Sequence, residues 1–122
     1  MKFYKCSHCG NVITYADNKG VPVSCCGETM AELIPGTVEA SAEKHIPVVT
    51  GDGKHVVVTV GAVEHPMTDA HFIKLIVIET RQGSQWKQLT PSDKPVATFE
   101  LTEGDALVAA YAYCNLHGLW MA

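Results

Sequence analysis

The stretch Ile46-Pro47-Val48-Val49-Thr50-Gly51-Asp52-Gly53-Lys54-His55-Val56-Val57-Val58-Thr59-Val60 decides the fold class. Two β-branched runs, Ile46–Val49 and His55–Val60, flank Gly51-Asp52-Gly53, a glycine-rich turn, so the stretch predicts an antiparallel hairpin. Working outward, runs of the same texture recur at Phe72–Glu79, Gln85–Leu89, Val96–Leu101 and Ala106–Tyr113. Arg81-Gln82-Gly83 and Pro91-Ser92-Asp93-Lys94-Pro95 separate them as turns. Short strands at this spacing imply an all-β antiparallel sandwich. The segment from Asp105 to Tyr113, with Ala106, Ala109, Ala110 and Ala112, would tolerate a helix. Its place among strands and its alternation of small with larger groups predict a strand. No long amphipathic helix, internal repeat, low-complexity tract or charge run is expected.

The chain has 122 residues, 47% of them hydrophobic, which allows one ordinary domain or one plus a metal-stapled miniature. No apolar run approaches the roughly 18 residues of a membrane-spanning helix, and Met1-Lys2-Phe3-Tyr4-Lys5 lacks the apolar core of a secretion signal. The expectation is a cytoplasmic protein with no membrane association. A net charge of −4 supplies no basic footprint for nucleic acid, so an anion must be attracted by a local cation. Five cysteines in such a chain point to metal ligation or redox work before disulfides.

Cys6, Cys9, Cys25 and Cys26 crowd the first 26 residues, while Cys114 stands alone, which suggests two sites. So short a leading segment buries too little to fold unaided, and four thiolates around one metal supply the missing constraint. The Pro35-Gly36 turn sets the boundary, giving domains 1–36 and 37–122. Within the first, Cys6-Ser7-His8-Cys9-Gly10 forms a knuckle whose amides point at sulfur, with Gly10 permitting the bend. Asn11–Tyr15 is expected as a strand, Asp17-Asn18-Lys19-Gly20 as a turn and Val21–Val23 as the returning strand. Cys25-Cys26 closes a tetrahedron that adjacent cysteines must distort, and Gly27 serves a turn. Four thiolates suit iron or zinc equally.

In the larger domain, Cys114 and His117 are three residues apart, so one turn can present both to a metal. His65 and His71 share a loop between two strands, and His45 follows Glu43-Lys44. One thiolate and four imidazoles exceed what a closed tetrahedral zinc site takes, and they leave an octahedral metal one open position. His8 and His55 lack such company and are read as solvent-facing.

These residues reach a known family. Cys6-Ser7-His8-Cys9-Gly10-Asn11, Cys25-Cys26-Gly27-Glu28-Thr29-Met30, Glu43-Lys44-His45-Ile46-Pro47, His65-Pro66-Met67 with His71, and Cys114-Asn115-Leu116-His117-Gly118 together resemble desulfoferrodoxin, the two-iron class of superoxide reductase. The resemblance spans nearly the whole chain. It implies a desulforedoxin-like N-terminal domain with one iron on Cys6, Cys9, Cys25 and Cys26, then an immunoglobulin-like β-sandwich holding the catalytic iron. There His45, His65, His71 and His117 resemble the equatorial imidazoles and Cys114 the axial thiolate. Glu43 resembles the carboxylate that fills the sixth position at rest, and Lys44 the cation that draws superoxide in. A homodimer, superoxide as substrate and a small rubredoxin-like electron donor are also implied, with zinc an alternative at the four-cysteine site.

Electrostatics favour the same role for Lys44 without the resemblance, because superoxide is an anion approaching a negatively charged protein. Two readings from other classes compete: a non-catalytic iron-binding electron-transfer or storage protein, and a zinc-dependent domain that binds a protein partner. The open coordination position argues against the first. Metal content after mutation of His65 or His71 separates the second.

Overall fold

The computed structural model describes residues 1–122 and divides into two compact units, Met1–Ile34 and Pro35–Ala122. In the first, β1 (Phe3–Lys5) is flanked antiparallel by β2 (Val12–Thr14) and β5 (Ala31–Leu33), and β3 (Ser24–Cys25) pairs with β4 (Glu28–Thr29). Phe3, Cys6 and Met30 are its buried apolar residues, a core far smaller than a self-sufficient domain needs. The sequence places the strand after the knuckle correctly but gives it the wrong partner. Val21–Val23 forms no strand: Val21 and Val23 are exposed, and β2 pairs with β1 instead. β-branched residues there raise strand propensity, but propensity alone does not make a strand where the side chains stay exposed.

The second unit opens with a single helical turn, α1 (Ala42–His45), which is too short for any hydrophobic period to announce it. It continues as β6 (Pro47–Asp52), β7 (His55–Val60), β8 (Ile73–Thr80), β9 (Gly83–Gln88), β10 (Val96–Glu100), β11 (Leu107–Cys114) and β12 (Gly118–Met121). These make two antiparallel sheets, ordered β10-β7-β6 and β12-β11-β8-β9. The segment that would tolerate a helix is the strand β11. Between β6 and β7 the turn is Gly53-Lys54, with Gly51 and Asp52 already paired in β6.

Alternation decides which residues meet. Val56, Val58 and Val60 on β7, with Ala97 and Phe99 on β10, form one apolar cluster with Ile76 and Ile78 on β8 and Ala110, Ala112 and Cys114 on β11. Each set lies on one face because side chains in a strand repeat every two residues. The core is therefore the layer shared by the two sheets, as in a sandwich. The register of β11 against β8 slips at Tyr113/Cys114, where Cys114 pairs with Ile73 and Lys74 is left over. That bulge returns Ile73 to the core face beside Cys114, so the thiol ends β11 fully buried.

Candidate metal centres

In the first unit the knuckle is closed by backbone hydrogen bonds from the Gly10 amide to the Cys6 carbonyl (3.1 Å) and from the Cys6 amide to the Asn11 carbonyl (2.9 Å). Gly10 takes φ 82°, which a Cβ would disfavour. The second pair of cysteines is set by a two-residue hairpin loop. Cys25 pairs with Glu28, and the intervening Cys26 and Gly27 have φ 52° and 80°. Two left-handed residues in such a loop match the twist of antiparallel strands, and Cys26 is the one non-glycine residue of the chain to adopt this conformation. The four sulfurs consequently converge, with their donor atoms all within 4.8 Å of one another.

Amides aim at these sulfurs: Cys9 N–H at Cys6 Sγ (3.5 Å), Asn11 N–H at Cys9 Sγ (3.5 Å) and the Asn11 side-chain amide at Cys25 Sγ (3.6 Å). The backbone N–H groups of Cys9 and His8 pull the Cys6 thiol down to about 6, so a thiolate forms readily there. Cys26 is pushed up to about 12 and Cys25 is also raised, chiefly through their contacts with Cys9 and Cys6. Once one sulfur is charged, its neighbours resist ionising, and only a cation at their centre relieves all four. His8 lies outside this set, paired with Glu28 at 3.2 Å and exposed. His55 likewise pairs with Glu100 on the surface.

The second cluster draws on α1, on the loop between β7 and β8, and on the turn between β11 and β12. The rings of His45, His65, His71 and His117 follow one another around a four-cornered figure. Successive centroids are 4.7, 4.6, 5.0 and 4.9 Å apart, and successive planes stand at 80–82°. Across it, His45 and His71 are 6.3 Å apart and nearly parallel, 30° between planes. Donor atoms of His45, His65, His71 and Cys114 lie within 4.8 Å of one another. His117 Nδ1 joins them, 3.1 Å from His45 Nε2 and 3.9 Å from Cys114 Sγ.

The tautomers show what this figure is for. His45 Nδ1 donates to the Ser41 carbonyl and His65 Nδ1 to the Pro66 carbonyl, each at 2.7 Å, and a carbonyl can only accept. Both Nε2 atoms are therefore bare in the neutral rings, yet they face each other at 3.2 Å. Two lone pairs at that distance repel, and a cation that both can ligate turns the repulsion into attraction. Donors about 2.1 Å from a shared ion and at right angles lie about 3.0 Å apart, close to the observed spacings. His71 Nε2 adds a buried nitrogen with no hydrogen-bond partner, so desolvation without compensation is the cost unless a metal takes it. Four nitrogens and one sulfur in this arrangement fit a mononuclear iron.

Burial favours the neutral form of His45, His65 and His71, as ligation requires. His65 is pulled down to about 4 by desolvation, and His45 and His71 are lowered for the same reason, with further lowering from the Lys44 charge. Burial raises the Cys114 thiol, while the amides of Leu116 and His117 oppose that rise. Glu43 and Lys44 are exposed on α1, and the ion pairs of the chain lie elsewhere. Lys44 thus offers an uncompensated cation close enough to act on two of the imidazoles.

Sequence reasoning did not find the residues that hold this cluster together. Asn115 accepts from the Phe72 amide (2.9 Å) and donates to the Ala70 carbonyl (3.0 Å), clasping the loop that carries His71. Thr68 holds the same loop from the other side, its Oγ1 accepting from the His71 amide at 3.1 Å. Trp120 lies against His45. The only signal in the sequence was proximity, since Asn115 and Trp120 bracket the Cys114–His117 turn.

Fold and clusters define a class: a nearly all-β, two-unit protein with a four-cysteine metal site and an imidazole–thiolate site. A family model described as Desulfoferrodoxin matches residues 37–122. The desulfoferrodoxin of Syntrophotalea carbinolica is 40% identical, over 98% of this chain and 94% of that protein. The crystal structure of the superoxide reductase from Treponema pallidum covers 99% of this chain and 97% of its own, at 40% identity and a TM-score of 0.83. The superoxide reductase (1Fe-SOR) from Giardia intestinalis covers 66% of this chain and 95% of its own, at 34% identity and a TM-score of 0.56. The chain belongs to the desulfoferrodoxin family.

Proposed function

We propose that this protein is a superoxide reductase, with superoxide as substrate and hydrogen peroxide as product. The observation that carries the reading is the facing pair of bare Nε2 atoms on His45 and His65, completed by His71, His117 and Cys114. When bound there, iron supplies by its ferrous–ferric couple the one electron that, with two protons, takes superoxide to hydrogen peroxide. We assign His45, His65, His71 and His117 as the four imidazoles, and Cys114 as the thiolate, that would hold the iron. Five protein ligands would leave an octahedral iron one position for substrate. Lys44 would draw the anion toward the histidine cluster and could give a hydrogen bond to it. Glu43 would offer its carboxylate to the iron when no substrate is present.

Cys6, Cys9, Cys25 and Cys26 hold a second iron in this reading, with zinc compatible with the same four thiolates. Electrons come from an external donor resembling a rubredoxin. Five cysteines without a disulfide suit a reducing compartment, the cytoplasm. No helix is long and apolar enough to cross a membrane. A homodimer is the expected assembly, by resemblance to the family.

The test is the stoichiometry of a superoxide pulse on the reduced, iron-loaded protein. A reductase yields one peroxide for each superoxide consumed and evolves no dioxygen. Dismutation gives one peroxide for every two, plus dioxygen, and a mere electron carrier leaves the superoxide decay unchanged. Either of those results overturns the assignment. In His71→Ala the consumption should collapse while the metal on the four cysteines stays.

A further inference from the structure

We propose that Trp120 is a positioning residue that couples His45 to His117 and so fixes two corners of the imidazole square. The inference rests on the reading of that square as a metal site. Two separate contacts of one indole carry it. Its ring lies 4.9 Å from the His45 ring with 32° between planes, and its Nε1–H donates to the His117 carbonyl at 3.0 Å.

The two histidines need such a link. They are 72 positions apart in sequence, His45 on the single turn of α1 and His117 in the turn between β11 and β12. Neither segment has a regular hydrogen-bonded ladder to define its angle. His45 is restrained on one side by its Nδ1–H bond to the Ser41 carbonyl, which leaves rotation about that bond free. A flat surface against the ring face removes that freedom. At His117 the indole N–H holds the backbone, so the side chain leaves a fixed Cα.

Trp120 can do both because it is itself held. It is buried, and it pairs across the sheet with Ala112, whose small side chain leaves room for an indole on the same face. Gly118, at φ 75°, opens β12 opposite Cys114 and lets the chain turn back along β11. An aromatic ring anchored on a sheet is a more rigid support than either ligand loop. Partners of this kind, which orient ligands without touching the metal, typically change metal affinity by about 10- to 100-fold when removed.

The experiment is a cobalt(II) titration of the full, metal-freed chain, followed by visible absorption. The four-cysteine site and the imidazole–thiolate site give different cobalt spectra, so each molecule carries its own control. In Trp120→Leu, binding at the imidazole–thiolate site should weaken about 10-fold, its ligand-field bands should shift at saturation, and binding at the four cysteines should not change. Trp120→Phe keeps a ring against His45 but has no N–H, and it should recover part of the affinity. Trp86→Phe, at an exposed indole, should leave both sites as they are. Unchanged affinity and bands in Trp120→Leu overturn the proposal, as does an equal loss at both sites. A wild-type chain that takes cobalt only on its four cysteines sinks the metal-site reading itself, and this inference with it.

Discussion

Asn115 and Phe72 hold each other through two hydrogen bonds. The Phe72 amide donates to Asn115 Oδ1 at 2.9 Å, and the Asn115 amide donates to the Phe72 carbonyl at 3.2 Å. The pair joins the residue after Cys114 to the residue after His71. Asn115 then reaches on to the Ala70 carbonyl, so its side chain fixes both flanks of His71. Replacement by alanine strands the half-buried Phe72 amide and gives up the bond to the exposed Ala70 carbonyl, and should cost about 1 kcal/mol. Asn115→Ala is thus expected to lower the melting temperature and to weaken metal binding at the histidine cluster. Calorimetry and a cobalt titration on the same sample check both, and a loss of stability with unaltered affinity would mean that His71 is held by other contacts.

Lys44 is exposed and free of ion pairs, and its charge is felt at His45 and His71. The chain as a whole carries −4, so superoxide meets repulsion everywhere except near such a cation. Lys44→Ala should slow the second-order reaction with superoxide by a factor on the order of 10 and flatten its dependence on ionic strength. Lys44→Arg keeps the charge and should keep most of the salt dependence. Pulse radiolysis over a range of salt concentrations decides the matter.

Gly61, in the turn that follows β7, lies against the backbone of α1. A Cβ built on it would stand 2.5 Å from the Glu43 carbonyl oxygen and 2.8 Å from the Lys44 carbonyl carbon. Both are backbone atoms of the turn that carries His45, and the Val63 amide also donates to the Glu43 carbonyl at 3.0 Å. Backbone cannot swing aside as a side chain can, so Gly61→Ala must move the turn. The expected result is a destabilisation of about 1–3 kcal/mol and weaker metal uptake at the histidine cluster. Gly104→Ala, also at a glycine but with only a side-chain atom at 3.9 Å, serves as comparison for the metal effect.

How much of this was legible in the sequence depends on how many residues each feature uses. The sandwich was readable because Val56, Val58 and Val60 alternate with less buried neighbours over a whole strand, whereas Ala109–Cys114 on β11 are all buried and were readable by their alternation of small with larger groups and their place among strands. The two candidate clusters were readable because cysteine and histidine are rare and chemically marked, so five isolated positions already suggested a meeting point. In contrast, β1, β5 and the β3–β4 hairpin have two or three residues each, too few to show a period, and Val21–Val23 misled by composition alone. α1 is a single turn set by its tertiary neighbours. The contacts made by Trp120 and Asn115 belong to the folded chain only, for nothing in Cys114-Asn115-Leu116-His117-Gly118-Leu119-Trp120 says which residue faces inward.

The first unit has the least of its own to stand on. It spans Met1–Ile34, its longest strands have three residues, and Phe3, Cys6 and Met30 are its buried apolar side chains. Below about 40 residues a core seldom outweighs the entropy of ordering the chain, so metal ligation must supply the difference. Adding a strong chelator under reducing conditions should therefore unfold residues 1–34 and leave the sandwich folded, since its apolar cluster on β7, β8, β10 and β11 does not depend on a metal. Hydrogen exchange read by mass spectrometry separates the two. Amides of β1, β2 and β5 should lose protection, whereas those of β8 and β11 should keep it. Cys9→Ser should reproduce the same pattern without chelator, because three remaining thiolates hold the metal less tightly. Protection of β1 that survives full metal removal would show that the small unit is held by packing, and the four cysteines would then serve redox chemistry alone.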